Sequence, residues 1–133
     1  MDKITIAHGS GGKMTHELIK NVFLKHFDNE VLNNTEDSAV VDVSSKQIAF
    51  TTDSFVVKPI FFPGGDIGKI AICGTVNDVA VSGAKVKYIS CGFIIEAGFD
   101  ISELEKIVIS MAKTAKEADT KSPKKNKKTT DKK

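Results

Sequence analysis

The chain has 133 residues, of which 41% are apolar, and a formal net charge of +2. This length suits one small domain with its own core and is too short for two ordinary domains. No apolar stretch reaches the length of a membrane span, and the N-terminus lacks the basic start and long apolar run of a secretory signal. We therefore expect a cytoplasmic protein without a membrane partner.

Charge divides the chain into two regions. Residues 1–119 hold 12 Lys against 16 Asp and Glu, whereas residues 120–133 hold seven Lys and one Asp. The second region has no apolar residue, so we predict a folded domain over 1–119 and a disordered, Lys-rich tail over 120–133. Such a tail is able to bind nucleic acid by counterion release. It lacks aromatic residues for base stacking, which favours a solvated end and no nucleic-acid partner.

The N-terminal half alternates strand and helix patterns. Ile4 to Ala7 predicts a short strand, and a Gly-rich stretch follows it. Met14 to Phe27 has apolar residues at helical spacing. Two further strands are predicted on either side of a tight turn, at 38–43 and 47–57.

The C-terminal half continues the alternation. Asp66 is placed to cap a helix that runs to about Ser82, and its small residues predict an interior position. Residues 87–96 predict a buried strand. Ser102 is predicted to cap the last helix, with Glu105 as the capping-box partner of Ser102. This order predicts an α/β (α+β) fold, a mixed sheet with helices packed on one face. Two cysteines, Cys73 and Cys91, are too few for a disulfide framework or a zinc site and are expected to be reduced and buried.

Three acidic residues lie in apolar, Gly-rich surroundings: Asp37, Asp53 and Asp78. Burying a lone carboxylate is costly unless a cation, a proton or several donors lie beside it. The pattern therefore suggests a metal site, and with it a phosphate ligand. The alternatives are that Asp78 reaches the surface or pairs with a Lys, that Asp53 faces outward from a half-exposed strand, and that Asp37 belongs to a turn.

Glycines near two predicted helix starts are candidates for phosphate contact. Gly9, Gly11 and Gly12 precede a helix, where backbone N–H groups can face an anion. Their spacing is not that of a P-loop, and a flexible turn is the alternative. The chain has no Arg, so a cationic contact would come from Lys, for example Lys69 after the second Gly-rich stretch. Asn77, beside Asp78, adds a neutral ligand or donor.

Four segments together resemble the HypE family of hydrogenase maturation factors. They are AHGSGG at 7–12, FTTDSF at 50–55, FFPGGDIGK at 61–69 and CGTVNDVA at 73–80. The likeness runs from about Ile4 to Ala118. This family belongs to a wider group of ATP-binding enzymes that includes aminoimidazole ribonucleotide synthetase and selenophosphate synthetase. The FFPGGD block favours the HypE branch over a sister enzyme such as selenophosphate synthetase.

The resemblance implies a domain that pairs its sheet with a second subunit and closes a barrel, with ATP and Mg²⁺ near that interface. It implies that Asp37, Asp53 and Asp78 surround the metal and phosphates, and that the glycine-rich segment covers them. The family dehydrates a carboxamide on its own C-terminal Cys to a thiocyanate, the source of the cyanide ligands of nickel-iron hydrogenase. The implied partners are a second copy, a hydrogenase maturation carbamoyltransferase and iron-cyanide scaffold proteins.

The chain departs from the family pattern after its last predicted helix. The Gly-Asp-Thr-Lys motif, the second domain and the C-terminal Cys of the family have no counterpart in the sequence. We therefore expect a fragment that is inactive alone and retains no catalytic residue. A non-catalytic dimerisation or interaction module is the alternative.

Overall fold

A computed structural model describes the backbone of residues 3–121 and 131–132 and the side chains of residues 3–119. The helices are α1 (Lys13–Leu18), α2 (Glu30–Asn33), α3 (Ile67–Val81) and α4 (Ile101–Lys121). A 3-10 helix (Ile6–Gly9) precedes α1, and a π-helix (Ile19–Leu24) continues it. The strands are β1 (Phe61–Phe62), β2 (Gly65–Asp66), β3 (Tyr88–Ile89) and β4 (Asp131–Lys132). The mixed α/β class is confirmed. Of the helices in this described part, none combines the length and apolar content that a bilayer crossing requires.

The core forms where α3 crosses α4. A Cβ at Gly68 would lie 2.8 Å from both the carbonyl oxygen of Ile107 and the Cγ of Met111, so only glycine allows this close approach. Around the crossing, the core consists of Ile4, Val22, Phe27, Ile72, Ile89, Leu104, Ile107, Val108, Met111 and Ala115. Five of these ten core residues come from α4, which is thus the main wall of the core.

A tight hairpin leads into α3. β1 and β2 pair antiparallel, with Phe62 opposite Gly65, and Gly64 in the turn has φ +92°. Pro followed by Gly suits a turn of this kind, because its third position needs a positive φ. The hairpin ends at the buried Asp66, whose Oδ1 accepts from the backbone N–H of Lys69 at 2.8 Å. The predicted cap and the helix it begins are confirmed.

Two predicted element boundaries are wrong. Ile4 does not begin a strand that reaches Ala7: its N–H donates to Phe99 O at 2.8 Å, its carbonyl accepts from Gly98, and the chain then turns into the 3-10 helix. α4 begins at Ile101, so Ser102 lies inside the first turn and does not cap it.

The long strands predicted at 38–43 and 47–57 are not formed, and the strand predicted at 87–96 is reduced to β3. A strand is defined by hydrogen bonds to a neighbour, and within the described residues these segments have no adjacent strand except β4, which pairs parallel with β3. A side-chain hydrogen bond connects two of these segments: Lys87 Nζ donates to Asp42 O at 2.8 Å. Many apolar side chains of these segments are exposed: Val40, Val43, Ile48, Phe50, Val56 and Ile94.

Two further expectations need correction. Only the first half of α3 is interior: Gly68 and Ile72 are buried, whereas Val81 is 78% exposed. Cys73, on the same helix, is exposed rather than buried. In the predicted disordered tail, residues 120–121 extend α4 and 131–132 form β4; the rest of that prediction falls on 122–130 and 133, outside the described residues.

Candidate functional site

Asp53 and Asp78 meet at the surface. The two carboxyl groups are close enough to interact, although they come from different parts of the chain. Asp78 lies in the exposed second half of α3, and Asp53 lies in the irregular segment that precedes β1. The structure therefore brings together two of the three acidic residues that the sequence singles out.

An aromatic contact places the two carboxyl groups side by side. The ring of Phe55 packs on Gly74, and a Cβ at Gly74 would be 2.9 Å from the ring's Cζ. Gly74 and Asp78 are one helical turn apart, so both lie on the same face of α3. Asp53 and Phe55 are two residues apart, which puts their side chains on one side of an extended chain. The Phe55–Gly74 contact and the Asp53–Asp78 pair thus lie next to each other along the same two segments.

The electrostatics of this pair differ from those of an isolated carboxylate. A hydrogen bond to Asp78 is the main cause that raises the pKa of Asp53 above its ordinary value of 3.8, followed by desolvation and by repulsion from the Asp78 charge. Two neighbouring carboxylates repel each other, which disfavours the state in which both are ionised. The pair therefore favours a proton or a cation between its oxygens.

Asp37 does not complete this pair. It is exposed, just after the helix that ends at Asn33. In residues 3–121 and 131–132, no group of three or more His, Cys, Asp or Glu side chains is arranged to hold a metal ion. The role of Asp37 as a metal ligand stays a prediction.

The glycine-rich segment at Gly9, Gly11 and Gly12 is exposed and tied to the start of α1. Gly11 has φ +83°, and its N–H donates to Thr15 Oγ1 at 2.9 Å. The same hydroxyl donates to His8 O at 2.7 Å. Cβ atoms added at Gly9 or Gly11 would meet nothing within 4 Å, so there is open space above this segment. A phosphate contact by these glycines stays a prediction.

Lys69 and Asn77 lie at different places on α3. Lys69 Nζ donates to Gly64 O at 3.2 Å, beside the hairpin. Nine residues, or about two and a half turns, separate Lys69 from Asp78, so the two lie on opposite faces of the helix. Asn77 is exposed and adjacent to Asp78. Asn77 is therefore near the carboxyl pair, whereas Lys69 is not.

Phe55 and Gly74, which lie beside the carboxyl pair, are not among the site residues predicted from the sequence. The sequence pattern places Gly74 in a helix one turn before Asp78 and Phe55 in a predicted strand. The sequence does contain a signal for them. Phe55 stands two positions after Asp53, and Gly74 stands four positions before Asp78, so each lies on the same side of its element as the aspartate. His8, next to the glycine-rich segment, is buried, and its Nδ1 accepts from the N–H of Thr5 at 2.8 Å.

Comparisons with known proteins agree with the resemblance. Residues 35–122 match the family model for the N-terminal domain of AIR synthase related protein. Carbamoyl dehydratase HypE of Escherichia coli is 50% identical over 123 residues, covering 89% of this chain and 37% of the relative. A putative hydrogenase expression/formation protein of Methanocaldococcus jannaschii is also 50% identical, over 88% of this chain and 37% of its own length.

Solved structures show the same fold. A crystal structure of hydrogenase maturation protein HypE in complex with ATP matches with a TM-score of 0.82 and 52% identity, covering 85% of this chain and 33% of that one. The crystal structure of Escherichia coli HypE matches with a TM-score of 0.72 and 50% identity, over 77% of this chain and 34% of that chain. The chain spans about a third of the length of the relatives it matches.

Proposed function

Because this chain belongs to the AIR synthase related protein family, as its N-terminal domain, we propose that it binds ATP with Mg²⁺ at the Asp53–Asp78 pair. The carboxyl pair is the observation that carries this proposal, since its two members are distant in sequence and meet only in the fold. The likeness to a HypE structure that holds ATP supports the choice of nucleotide. We propose that residues 1–119 form the nucleotide-binding domain and that 120–133 are an appendage to it.

The residues present fit a magnesium ion. Mg²⁺ prefers oxygen ligands and is commonly held by one or two carboxylates together with water and substrate phosphates. Asp53 and Asp78 supply those carboxylates, and the Asn77 side chain adds a neutral oxygen nearby. The two carboxylates repel each other when both are ionised, and a divalent cation between them relieves that repulsion.

Each group then has a distinct part in nucleotide binding. Asp53 and Asp78 would hold Mg²⁺, which when bound neutralises charge on phosphate oxygens. The exposed N–H groups at Gly9, Gly11 and Gly12 would donate to the phosphates, once Gly11 leaves Thr15. Lys69 and Asp37 would contribute to nucleotide binding only if the chain around them moves, since neither lies beside Asp53 and Asp78 in this structure.

The activity of the whole protein needs more than this chain. We propose that the complete protein carries out the ATP-dependent dehydration of a C-terminal Cys thiocarboxamide to thiocyanate, in the cytoplasm, in the maturation of nickel-iron hydrogenase. Relatives named carbamoyl dehydratase support this reaction. Its carbamoyltransferase and iron-cyanide scaffold partners follow from the same resemblance. The chain covers about a third of those relatives, so we expect it to bind nucleotide without catalysis.

Calorimetry tests nucleotide binding directly. We expect heat with ATP in the presence of Mg²⁺, and its loss in Asp53→Asn and in Asp78→Asn, because each change removes one carboxylate ligand. Asp42→Asn is the matched control: like Asp53, Asp42 is an exposed aspartate outside the helices, and Asn keeps its size. A folded chain that gives no heat with Mg-ATP, or that binds equally well in all three variants, refutes the proposal.

A second function, self-association, is favoured by a separate observation. Segments 38–43 and 47–57 and residue Ile94 expose apolar side chains, and strands need a partner to satisfy their backbone. We propose that these segments pair with those of a second copy, as the family's barrel implies. Light scattering on the purified chain tests this: a dimer is expected, and a strict monomer at high concentration contradicts it.

A further inference from the structure

We infer that Phe55 and Gly74 are positioning residues, which hold Asp53 against Asp78. For its effect on cation binding, this inference rests on the proposed function. The contact itself is a feature of the fold: a Cβ at Gly74 would be 2.9 Å from Phe55 Cζ and 3.0 Å from Cε1. Real Cβ atoms do not approach other atoms this closely, so the ring occupies this place only because residue 74 has no side chain.

The spacings along the two elements match. Four residues of α3, from Gly74 to Asp78, rise about 6 Å along the helix axis. Two residues of extended chain, from Phe55 back to Asp53, span about 6.6 Å with both side chains on the same side. When Phe55 lies on Gly74, Asp53 therefore reaches Asp78. The contact of Phe55 with Gly74 therefore brings Asp53 to Asp78 without a further change in the conformation of the chain.

Little else determines the register of this segment. Within the described residues, 47–57 has no backbone ladder that would fix its position. Around Phe55 its burial alternates: Phe55 and Val57 are half-buried, whereas Ser54 and Val56 are exposed, and Asp53 is exposed as well. A shift by one residue would turn Asp53 to the opposite side, away from α3. The seat of Phe55 on Gly74 is thus the contact that selects the register in which the two carboxyl groups meet.

The first experiment compares three variants by calorimetry with Mg-ATP and by urea unfolding. Gly74→Ala is expected to weaken binding roughly tenfold or more, because small displacements of a ligand-binding group are costly. Its resistance to urea should change little, because alanine favours a helix and offsets the displaced ring. The control Gly92→Ala, where a Cβ meets nothing within 4 Å, should leave affinity unchanged. Adding Phe55→Leu to Gly74→Ala should restore part of the affinity, because the shorter side chain leaves room for the new methyl group.

The second experiment needs no metal or nucleotide. Cysteines are introduced by Asp53→Cys and Asp78→Cys in a Cys73→Ser, Cys91→Ser background, and disulfide formation with oxidised glutathione is timed. The disulfide should form readily with Gly74 present and slowly when Gly74→Ala or Phe55→Ala is added.

The two experiments separate the two claims. If the natural chain does not bind Mg-ATP but the cross-link slows in Gly74→Ala, the proposed function fails and the positioning role stands. Equal cross-linking rates with and without Gly74→Ala overturn the positioning role, as does unchanged Mg-ATP affinity in a chain that binds.

Discussion

At the scale of single residues, the central fact is that the Asp53 and Asp78 carboxyl groups interact at an exposed site. Two neighbouring carboxylates repel each other, so a proton or a cation near them is favoured. Buried carboxylates elsewhere in the fold behave differently: Asp66 is satisfied by two donors, Lys69 N–H and Ser110 Oγ. The exposed pair is instead a site where two like charges meet, and a cation would relieve their repulsion.

The raised pKa of Asp53 predicts how pH affects cation binding. In the folded chain the pKa of Asp53 lies above its ordinary value of 3.8. Protons therefore compete with Mg²⁺ for this carboxylate until the pH exceeds the raised pKa. Affinity for Mg²⁺ should therefore rise with pH across this interval and level off above it. Calorimetric titrations at several pH values measure the effect, and an affinity that does not change with pH would contradict it.

The same shift has a consequence for stability without metal. A raised folded-state pKa means that the fold favours the protonated form of Asp53. The contribution of Asp53 to the free energy of unfolding is therefore fully present below pH 3.8 and is lost as the pH rises through the raised pKa. Added Mg²⁺ should cancel that decline. Melting curves that show the same pH dependence with and without Mg²⁺ would contradict this account.

At the scale of elements, the α3–α4 crossing determines where the site lies. Gly68 brings the start of α3 against α4, and Ile72 is buried one turn later. The second half of α3 then extends past the core, where Asp78 reaches solvent and meets Asp53. The helix is thus anchored at one end and presents functional groups at the other.

Gly68→Ala should destabilise the fold by about 1–3 kcal/mol. The new methyl group would meet the Ile107 carbonyl at 2.8 Å, and a backbone atom cannot turn aside as a side chain can. Urea unfolding measures the loss. Gly74→Ala is the matched control on the same helix, because there the methyl group meets only the movable Phe55 ring. Equal stability of both variants would argue against a tight crossing at Gly68.

The cap at Asp66 gives a second prediction for this crossing. Asp66→Ala removes the acceptor for both Lys69 N–H and Ser110 Oγ, and should cost about 1–3 kcal/mol of unfolding free energy. Asp66→Asn keeps an oxygen at the cap and should cost less. Ser110→Ala removes only the link to α4, with an expected loss of about 1 kcal/mol. Chemical denaturation of the three variants measures these losses. If Asp66 only capped α3 and did not also bind Ser110, Ser110→Ala would cost nothing.

At the scale of the whole molecule, apolar surface is distributed unevenly. The core is centred on α3 and α4, while the segments between α2 and β1 leave Phe50 83% and Val56 98% exposed. Exposed apolar residues concentrated in such segments are typical of an interface. This distribution connects the two proposed functions, because Asp53 lies in the segment that is expected to pair with a second copy.

Phe50→Lys should therefore weaken self-association. A charge placed in a pairing segment is costly to bury and repels its symmetry-related copy, so we expect the dissociation constant to rise roughly tenfold or more. Sedimentation measures the change. Ile109→Lys, which replaces a 44% exposed residue of α4, is the control outside these segments. An equal effect of both substitutions would mean that the loss is not specific to the proposed interface.

The sequence alone determined the features that depend on nearby residues. The Asp66 cap and α3 follow from a carboxylate placed before an apolar run, and the hairpin before them has the Pro-Gly pair that its turn requires. The candidate aspartates could also be named, because a carboxylate among apolar neighbours is unusual at the level of sequence.

Only the tertiary structure decided which of these residues meet. The contact of Asp53 with Asp78 depends on Phe55 resting on Gly74, a relation between distant segments that no local pattern contains. The predicted strands at 38–43 and 47–57 failed for a related reason. Their alternating residues favour extended chain, but a strand forms only when another strand satisfies its backbone, and that partner is not determined by the segment's own sequence.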